Sequence, residues 1–184
     1  MKNIITYIEE KLTLTKNTGD HPKIIVETKN ELKKIIKERI EQNDKELDLT
    51  DVDVSKIIDF GRLFEGKNFL VSLDISNWNV SNAITMEAMF NGCYDLKDID
   101  LSKWDVSNVE IMDYMFENCQ NFNSDSIKDW NLAKIKSMRS MFHSCISFNQ
   151  DLSAWDIDRT KTEISNMFAG CSKLKTWPAW YAKK

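Results

Sequence analysis

Apolar residues recur along this chain at a constant interval of 26 positions. Met-Phe pairs and cysteines keep that interval, and a tryptophan precedes each pair; the set is Met89-Phe90, Met115-Phe116, Met141-Phe142, Met167-Phe168, Cys93, Cys119, Cys145, Cys171, Trp78, Trp104, Trp130 and Trp155. A fixed period in this range is typical of repeat proteins, in which each copy buries its apolar face only against its neighbours. We therefore expect these residues to form the core.

The spacing within one copy predicts a short helix. Apolar residues fall at i, i+3, i+4 and i+7, namely Met86, Met89, Phe90 and Cys93, which places them on one helical face. Ser81 is a suitable N-cap, and Gly92 can adopt the left-handed conformation that ends a helix. The preceding stretch Leu73–Ile75 indicates one strand per copy.

One strand and one helix per 26 residues predict an α/β repeat fold, a leucine-rich-repeat-like solenoid of about five strand–helix coils. The first coil is degenerate, with Leu63-Phe64 at the Met-Phe position, Val52 at the tryptophan position and Lys67 at the cysteine position. We expect the solenoid to span residues 47–176.

The flanking sequences predict three further parts. Residues 1–22 form an amphipathic helix and a linker, and this helix either packs on the cap or docks on another protein. Residues 23–46 form an N-terminal cap of a strand and a helix, because Thr28 and Glu31 make a capping box before a buried stripe of Leu32, Ile35, Ile36 and Ile40. Residues 177–184 form an aromatic C-terminal cap containing Trp177, Pro178, Trp180 and Tyr181.

Two motifs add a specific resemblance. The phrase W-[DN]-V-S-N-V followed by M-x-x-M-F-x-x-C resembles the BspA-like family of bacterial leucine-rich-repeat surface proteins, and residues 28–64 resemble the cap that precedes those repeats. The resemblance covers roughly residues 23–177 and implies adhesion or partner binding without a reaction.

Charge and hydropathy exclude several classes of function. The chain carries 25 basic and 29 acidic residues, a net charge of −4, and no basic block that would neutralise phosphates. No apolar run is long enough for a transmembrane helix. Glu9 and Glu10 interrupt the region where a signal peptide needs its apolar core, so we expect a cytoplasmic protein, with a phage-encoded origin left open.

The cysteines, tryptophans and aspartates each allow two interpretations. Cysteines 26 apart lie in a line, which does not suit a tetrahedral metal site, and packed helices would hold them too far apart for disulfides. The tryptophans form either an exposed binding ladder or a buried one with each indole N–H on a carbonyl. The acidic row of Asp48, Asp74, Asp100 and Asp151 is either a Ca²⁺ site or a solvated face, and we favour the solvated face because glycine turns are missing. We expect no metal and no cofactor.

Nothing in the sequence indicates catalysis. His21 and His143 are the two histidines, and neither lies in a known catalytic motif. His143 occupies a position held by Asn91, Glu117 and Ala169 in other copies, which indicates a solvent position. We therefore expect a protein that is not an enzyme.

The variable positions of the repeat predict a partner-binding surface. It comprises Ser76, Asn77, Ser102, Lys103, Lys128, Asp129, Ser153, Glu87, Asp113 and Arg139, all expected to face solvent. The leading hypothesis is a protein–protein interaction module for an unidentified protein. The alternative is an assembly protein that self-associates through its N-terminal helix or its C-terminal aromatics.

Overall fold

The computed structural model describes residues 23–43 and 45–182, so the predicted helix and linker of residues 1–22 lie outside it. The one long element of this region is helix α1 (Lys29–Gln42). The other regular elements are short, namely strands β1 (Ile24–Ile25), β2 (Glu46–Asp48), β3 (Val52–Asp53) and β4 (Ser72–Asp74), a 3-10 turn (Asp125–Ile127) and helix α2 (Ala179–Ala182). Strand β1 pairs in parallel with β3, and β2 with β4. Turns and irregular backbone make up the remainder of this region.

The predicted fold class is wrong. After β4, the regular elements of the described chain are one 3-10 turn and the four-residue α2, so the expected strand–helix coils do not form. The sheets are two separate parallel pairs of two strands. The leucine-rich-repeat-like solenoid is therefore not observed.

Left-handed backbone residues explain why the predicted helices are missing. Ala88 (φ 52°) and Gly92 (φ 73°) both have positive φ, and so do Tyr114, Asn118, Ser140, Ser144, Asn166 and Gly170 at the corresponding positions. A residue in this conformation cannot continue a right-handed helix. The N–H of Ala88 instead donates to the carbonyl of Asp113 at 2.8 Å. These segments are successions of turns.

The interval of 26 residues is kept by hydrogen bonding between distant segments. Isolated parallel bridges join, in order, Asp59, Thr85, Ile111, Ser137 and Glu163, which we call the bridge ladder. Its five segments cover residues 59–66, 85–92, 111–118, 137–144 and 163–170. Each of the first four segments donates backbone N–H groups to carbonyls of the following one, so adjacent segments lie at hydrogen-bonding distance.

Helix α1 forms as the capping box predicts. The hydroxyl of Thr28 accepts a hydrogen bond from the N–H of Glu31 at 3.2 Å, which satisfies one orphan donor of the first turn. Its buried residues are Leu32, Ile35 and Ile36, and Ile40 is partly buried against the same core. The predicted strand before it is also present, as β1.

The residues expected to form the core are buried. All the repeated Trp, Met-Phe and Cys positions expose 8% or less of their surface. The phenylalanine rings form a stack with centroid distances of 5.5 Å (Phe64–Phe90), 5.3 Å (Phe90–Phe116), 5.7 Å (Phe116–Phe142) and 5.7 Å (Phe142–Phe168). The sequence pattern was therefore correct about burial, although it was wrong about backbone conformation.

The aromatic residues near the C-terminus cover the end of this core. The Trp180 ring lies 6.1 Å from the Trp155 ring, and its Nε1 donates to the carbonyl of Leu152 at 2.9 Å. The rings of Trp177 and Tyr181 pack edge-on against Phe168 at 5.9 and 5.0 Å. We call Trp177, Trp180 and Tyr181 the aromatic lid.

Candidate functional site

The tryptophan column is a structural feature and not an exposed aromatic ladder. Trp78, Trp104, Trp130 and Trp155 expose 6% or less of their surface. Each indole N–H donates to a backbone carbonyl of the preceding copy, at 3.1, 3.5, 3.4 and 3.0 Å respectively. A buried indole that finds a carbonyl satisfies its one donor. The buried interpretation of these residues is confirmed.

The carboxylates of the acidic row accept hydrogen bonds from the backbone of the turns that follow them. Carboxylates of Asp48, Asp74, Asp100 and Asp151 each accept the backbone N–H two residues later, at 2.9 to 3.1 Å. Hydrogen bonds from Ser102 lower the pKa of Asp100, and those from Ser153 lower the pKa of Asp151. No group of three or more potential metal ligands occurs among residues 23–43 and 45–182. The carboxylates stabilise Asx turns instead.

All four cysteines are buried free thiols. Each Sγ lies 2.8 to 3.1 Å from the carbonyl oxygen of a phenylalanine 29 residues earlier, as Cys93 does with Phe64. Burial raises the pKa of Cys93 to about 12 and that of Cys171 to about 11. The expectation that packed helices hold the cysteines too far apart for disulfides is wrong. Each cysteine directly follows a segment of the bridge ladder, and adjacent hydrogen-bonded segments lie about 5 Å apart.

The predicted partner surface divides into two parts. One part lies at the turns directly before Trp78, Trp104, Trp130 and Trp155, which we call the tryptophan turns. Its members are Ser76, Asn77, Ser102, Lys103, Lys128, Asp129 and Ser153. Ser76 is half-buried and the other six are exposed. Glu87, Asp113 and Arg139 belong to the bridge ladder instead. No hydrogen bond or ion pair joins the two parts within the described residues.

Asp113 was predicted to face solvent, and this is wrong. It is 4% exposed and accepts hydrogen bonds from the hydroxyl of Ser137 and the backbone N–H of Arg139. The guanidinium of Arg139 also binds its carboxylate at 2.8 Å. Glu87 is similarly paired with Arg62 at 2.9 Å. These charges stabilise contacts between segments, so we remove them from the candidate surface.

Two open clefts lie beside the tryptophan turns. The first, of about 450 Å³, is lined by Ser72, Leu73, Asp74, Ser76, Asp98, Ile99 and Asp100. The second, of about 240 Å³, is lined by Ser102, Trp104, Asp125, Ser126, Lys128, Asp129 and Trp130. We call them the acidic cleft and the Trp130 cleft. They contain four of the residues that the sequence predicted for partner binding.

The clefts arise where strand pairing stops. Parallel pairing runs from β2 through β4 to the bridge between Ser72 and Asp98, and the next copy forms the 3-10 turn Asp125–Ile127 instead of a strand. The hydroxyl of Ser124 caps that turn and also donates to the carbonyl of Ile99 at 3.2 Å. In the sequence, Ser126 stands 26 residues after Asp100, where the repeat would place the next aspartate of the acidic row, but nothing there indicated a cleft.

His143 joins a polar cluster that sequence reasoning missed. Its Nδ1 lies 3.2 Å from Glu117 Oε1 and 3.4 Å from Ser144 Oγ, and the Asn91 amide donates to Glu117 at 2.7 Å. A Ser–His–acid relay needs the hydroxyl and the carboxylate on different ring nitrogens. Here both contact the same nitrogen, so the cluster is not arranged for nucleophilic catalysis. His21 lies outside the described residues.

No helix of the described region is long and apolar enough to cross a membrane. No curated protein and no solved structure matches the chain significantly. One family model, described as "Mycoplasma protein of unknown function, DUF285", matches it twice, over residues 30–126 and 96–183. The two overlapping matches agree with the internal repetition of the sequence, and together they span most of its length. The chain therefore belongs to the DUF285 family of Mycoplasma proteins of unknown function.

Proposed function

We propose that this protein is a non-catalytic protein-binding module and that its contact surface is formed by the acidic cleft and the Trp130 cleft. The observation that carries the proposal is the opening of two adjacent concave sites where strand pairing stops. Binding sites are commonly concave and held on a rigid, buried scaffold. The buried tryptophan column provides that scaffold here.

The charges of the clefts favour a basic partner. Asp74, Asp98 and Asp100 line the acidic cleft, which contains no basic residue. Asp125 and Asp129 line the Trp130 cleft together with Lys128. Complementary charge across an interface accelerates association and selects the orientation of binding. The expected partner is a protein segment that carries lysine or arginine.

A photo-crosslinking amino acid at Lys103 tests the location of this surface. Lys103 is exposed and lies next to Ser102 of the Trp130 cleft, so its replacement should crosslink the partner in the organism that makes the protein. The matched control is the same replacement at Lys136, an exposed lysine that pairs with Glu110 immediately before the bridge-ladder segments. Crosslinks from Lys136 alone would place the binding surface elsewhere and refute the proposal.

Once crosslinking has identified the partner, charge variants test whether the cleft carboxylates contribute to its binding. The double change Asp98→Ala and Asp129→Ala should weaken its binding at least about tenfold in calorimetry, because it removes one carboxylate from each cleft. Asp95→Ala and Asp156→Ala, both exposed and outside the clefts, should leave the Kd within about twofold. If light scattering shows that the crosslinked species is a homo-oligomer, the alternative assembly hypothesis is favoured.

A further inference from the structure

One position of the repeat carries side chains with N–H donors in four successive copies. Lys97, Asn123, Asn149 and Lys175 stand 26 residues apart, and all four are exposed. The Asn123 Oδ1 accepts the backbone N–H of Asn149 at 2.8 Å, and the Asn149 Oδ1 accepts the N–H of Lys175 at 2.9 Å. The backbone of the next copy therefore fixes the orientation of each asparagine, and the two side chains follow one another about 5 Å apart.

The amide nitrogens of these two asparagines are available to a ligand. A carboxamide carries two N–H donors, and within the described chain neither Asn123 Nδ2 nor Asn149 Nδ2 has a hydrogen-bond partner. Each Oδ1 is already engaged, so turning an amide over would break a hydrogen bond to the backbone. The asparagines therefore present donors and not acceptors.

These amides line an open cleft of about 460 Å³ together with Lys173, Lys175, two serines and a leucine. We call it the amide–lysine cleft. None of its described lining residues is acidic, and neither lysine forms an ion pair in the described part of the chain. Asp151 lines a smaller adjoining hollow, where its carboxylate accepts the N–H of Ser153 at 2.9 Å. The cleft thus combines local positive charge with oriented donors in a chain whose net charge is −4.

We propose that the amide–lysine cleft binds an acidic segment of a partner protein, with carboxylates on Lys173 and Lys175 and main-chain carbonyls on the Asn123 and Asn149 amides. Ammonium and carboxamide donors both bind oxygen acceptors, and hydrogen bonds to a charged carboxylate are the stronger kind. A single exposed ion pair contributes little. A segment that presents several linked acceptors to an open cleft is therefore favoured over a small ion.

This site goes beyond the proposed function, because it selects the opposite charge. Asp74, Asp98 and Asp100 line the acidic cleft, whereas the amide–lysine cleft contains two lysines. The amide–lysine cleft shares no lining residue with the acidic cleft or the Trp130 cleft. Basic and acidic segments therefore bind at separate places, and either proposal stands without the other.

A fluorescent peptide of about eight glutamates tests the charge selectivity, and a glutamine peptide of the same length is its control. The full chain should bind the glutamate peptide at least about tenfold more tightly in fluorescence polarisation at physiological salt. The double change Lys173→Gln and Lys175→Gln should raise its Kd at least about tenfold. The matched control, Lys33→Gln with Lys37→Gln, removes two exposed lysines of helix α1 and should leave the Kd within about twofold, because salt screens distant charges.

Asn149→Asp tests the amide donors with little change of shape. The aspartate keeps an oxygen for the Lys175 N–H but replaces the amide donors with an acceptor, so the Kd should rise at least about tenfold. The matched control is Asn131→Asp, an exposed position outside the cleft whose Oδ1 accepts the Ala133 N–H at 3.1 Å, and it should bind like the wild type. In the wild type, the peptide should shift the side-chain amide NMR signals of Asn123 and Asn149. Circular dichroism of each variant separates loss of binding from loss of folding.

Four results would overturn the proposal. Equal binding of the glutamine peptide, or no binding of either, would remove the charge selectivity. Equal weakening by the lysine changes of helix α1 would mean that overall charge attracts the peptide. The same amide shifts with inorganic phosphate at the peptide's concentration would assign the cleft to a free oxyanion. A peptide-free dimer in light scattering that Asn149→Asp dissociates would assign it to a second copy of this chain. All of these results leave the proposed function standing, because that function is tested with a basic partner at the other two clefts.

Discussion

Arg139 and Asp113 form a link between neighbouring segments that uses both backbone and side chain. The Nη2 and Nε atoms of Arg139 lie 2.8 and 3.0 Å from Asp113 Oδ2, while the Arg139 backbone N–H donates to Oδ1 at 2.8 Å. Asp113 is buried at this contact, whereas the Arg139 side chain is half-exposed. One carboxylate thereby organises the turn of the following segment.

Asp113→Ala should destabilise the protein by about 1–3 kcal/mol. The change removes the charged acceptor of two part-buried hydrogen bonds, which come from the Arg139 N–H and the Ser137 hydroxyl, and hydrogen bonds to a charged group contribute about 1.5–3 kcal/mol. Asp129→Ala, at an exposed carboxylate, should change stability by less than about 0.5 kcal/mol. Urea titration of both variants measures the difference; equal values would mean that Asp113 is not buried.

Phe116→Ala should lower the free energy of unfolding more than Asp113→Ala does. The Phe116 ring is fully buried and lies 5.3 Å from Phe90 and 5.7 Å from Phe142 within the ring stack. Its removal leaves a cavity whose cost is about 3–5 kcal/mol. Tyr94→Ala, which removes a 43% exposed aromatic ring, is the control and should cost much less in the same denaturant titration.

Ser144→Gly should stabilise the protein. Ser144 has a φ of 61°, and the corresponding positions of two other copies, which also have positive φ, are occupied by Gly92 and Gly170. Left-handed strain costs a non-glycine residue about 1–2 kcal/mol, and the entropy cost of glycine is about 0.5–1 kcal/mol, so the net gain in stability is about 0–1.5 kcal/mol. Ser147→Gly, at negative φ, should destabilise, and the two melting temperatures should therefore move in opposite directions.

Alkaline pH should destabilise the fold through the buried thiols. Burial raises the pKa of Cys93 from its ordinary value of 9.0 to about 12, so between these values the thiol ionises in the unfolded chain and stays neutral in the folded one. The contribution of this thiol to the free energy of unfolding has its full value below pH 9 and is lost as the pH rises towards 12. Cys93→Ala removes this contribution, so its stability deficit relative to the wild type should shrink between pH 8 and pH 10 in urea titrations. A constant deficit would contradict the expected shift.

Leu32→Asp should destabilise residues 47–70, which include the first segment of the bridge ladder. Leu32 of helix α1 is fully buried, and a carboxylate cannot be desolvated there without a partner. Rapid amide exchange across residues 47–70 should follow, because these residues pack next to the helix. Lys37→Asp, an exposed change on the same helix, should leave exchange unchanged. Unaltered exchange in Leu32→Asp would show that α1 is dispensable.

Burial could be predicted from the sequence because it depends on side-chain chemistry at a constant interval. Thr28 likewise identified the start of α1, since capping depends on two neighbouring residue types. Backbone conformation could not be predicted in the same way. Ala88, Tyr114 and Ser140 occupy left-handed positions that their residue types do not favour, and contacts with adjacent segments impose them.

The candidate site was only partly predictable. The exposure of Lys103 and Asp129 could be predicted because residue type varies among the copies at that position of the repeat. The clefts could not be predicted, because they depend on where strand pairing stops. The error at Asp113 had a detectable signal. An acid and a base stand 26 residues apart, at Asp113 and Arg139, and the repeat places those positions next to each other.

The constant interval of the bridge ladder also determines how the chain can change in length during evolution. Duplicating one whole unit of 26 residues, for example from Ile111 to Lys136, would present every donor with a carbonyl in the usual position and every phenylalanine with a stacking neighbour. Inserting one residue inside a unit would misplace the Phe, Cys and bridge positions together. Gene duplication in whole units is therefore tolerated, while small insertions are confined to the turns between them.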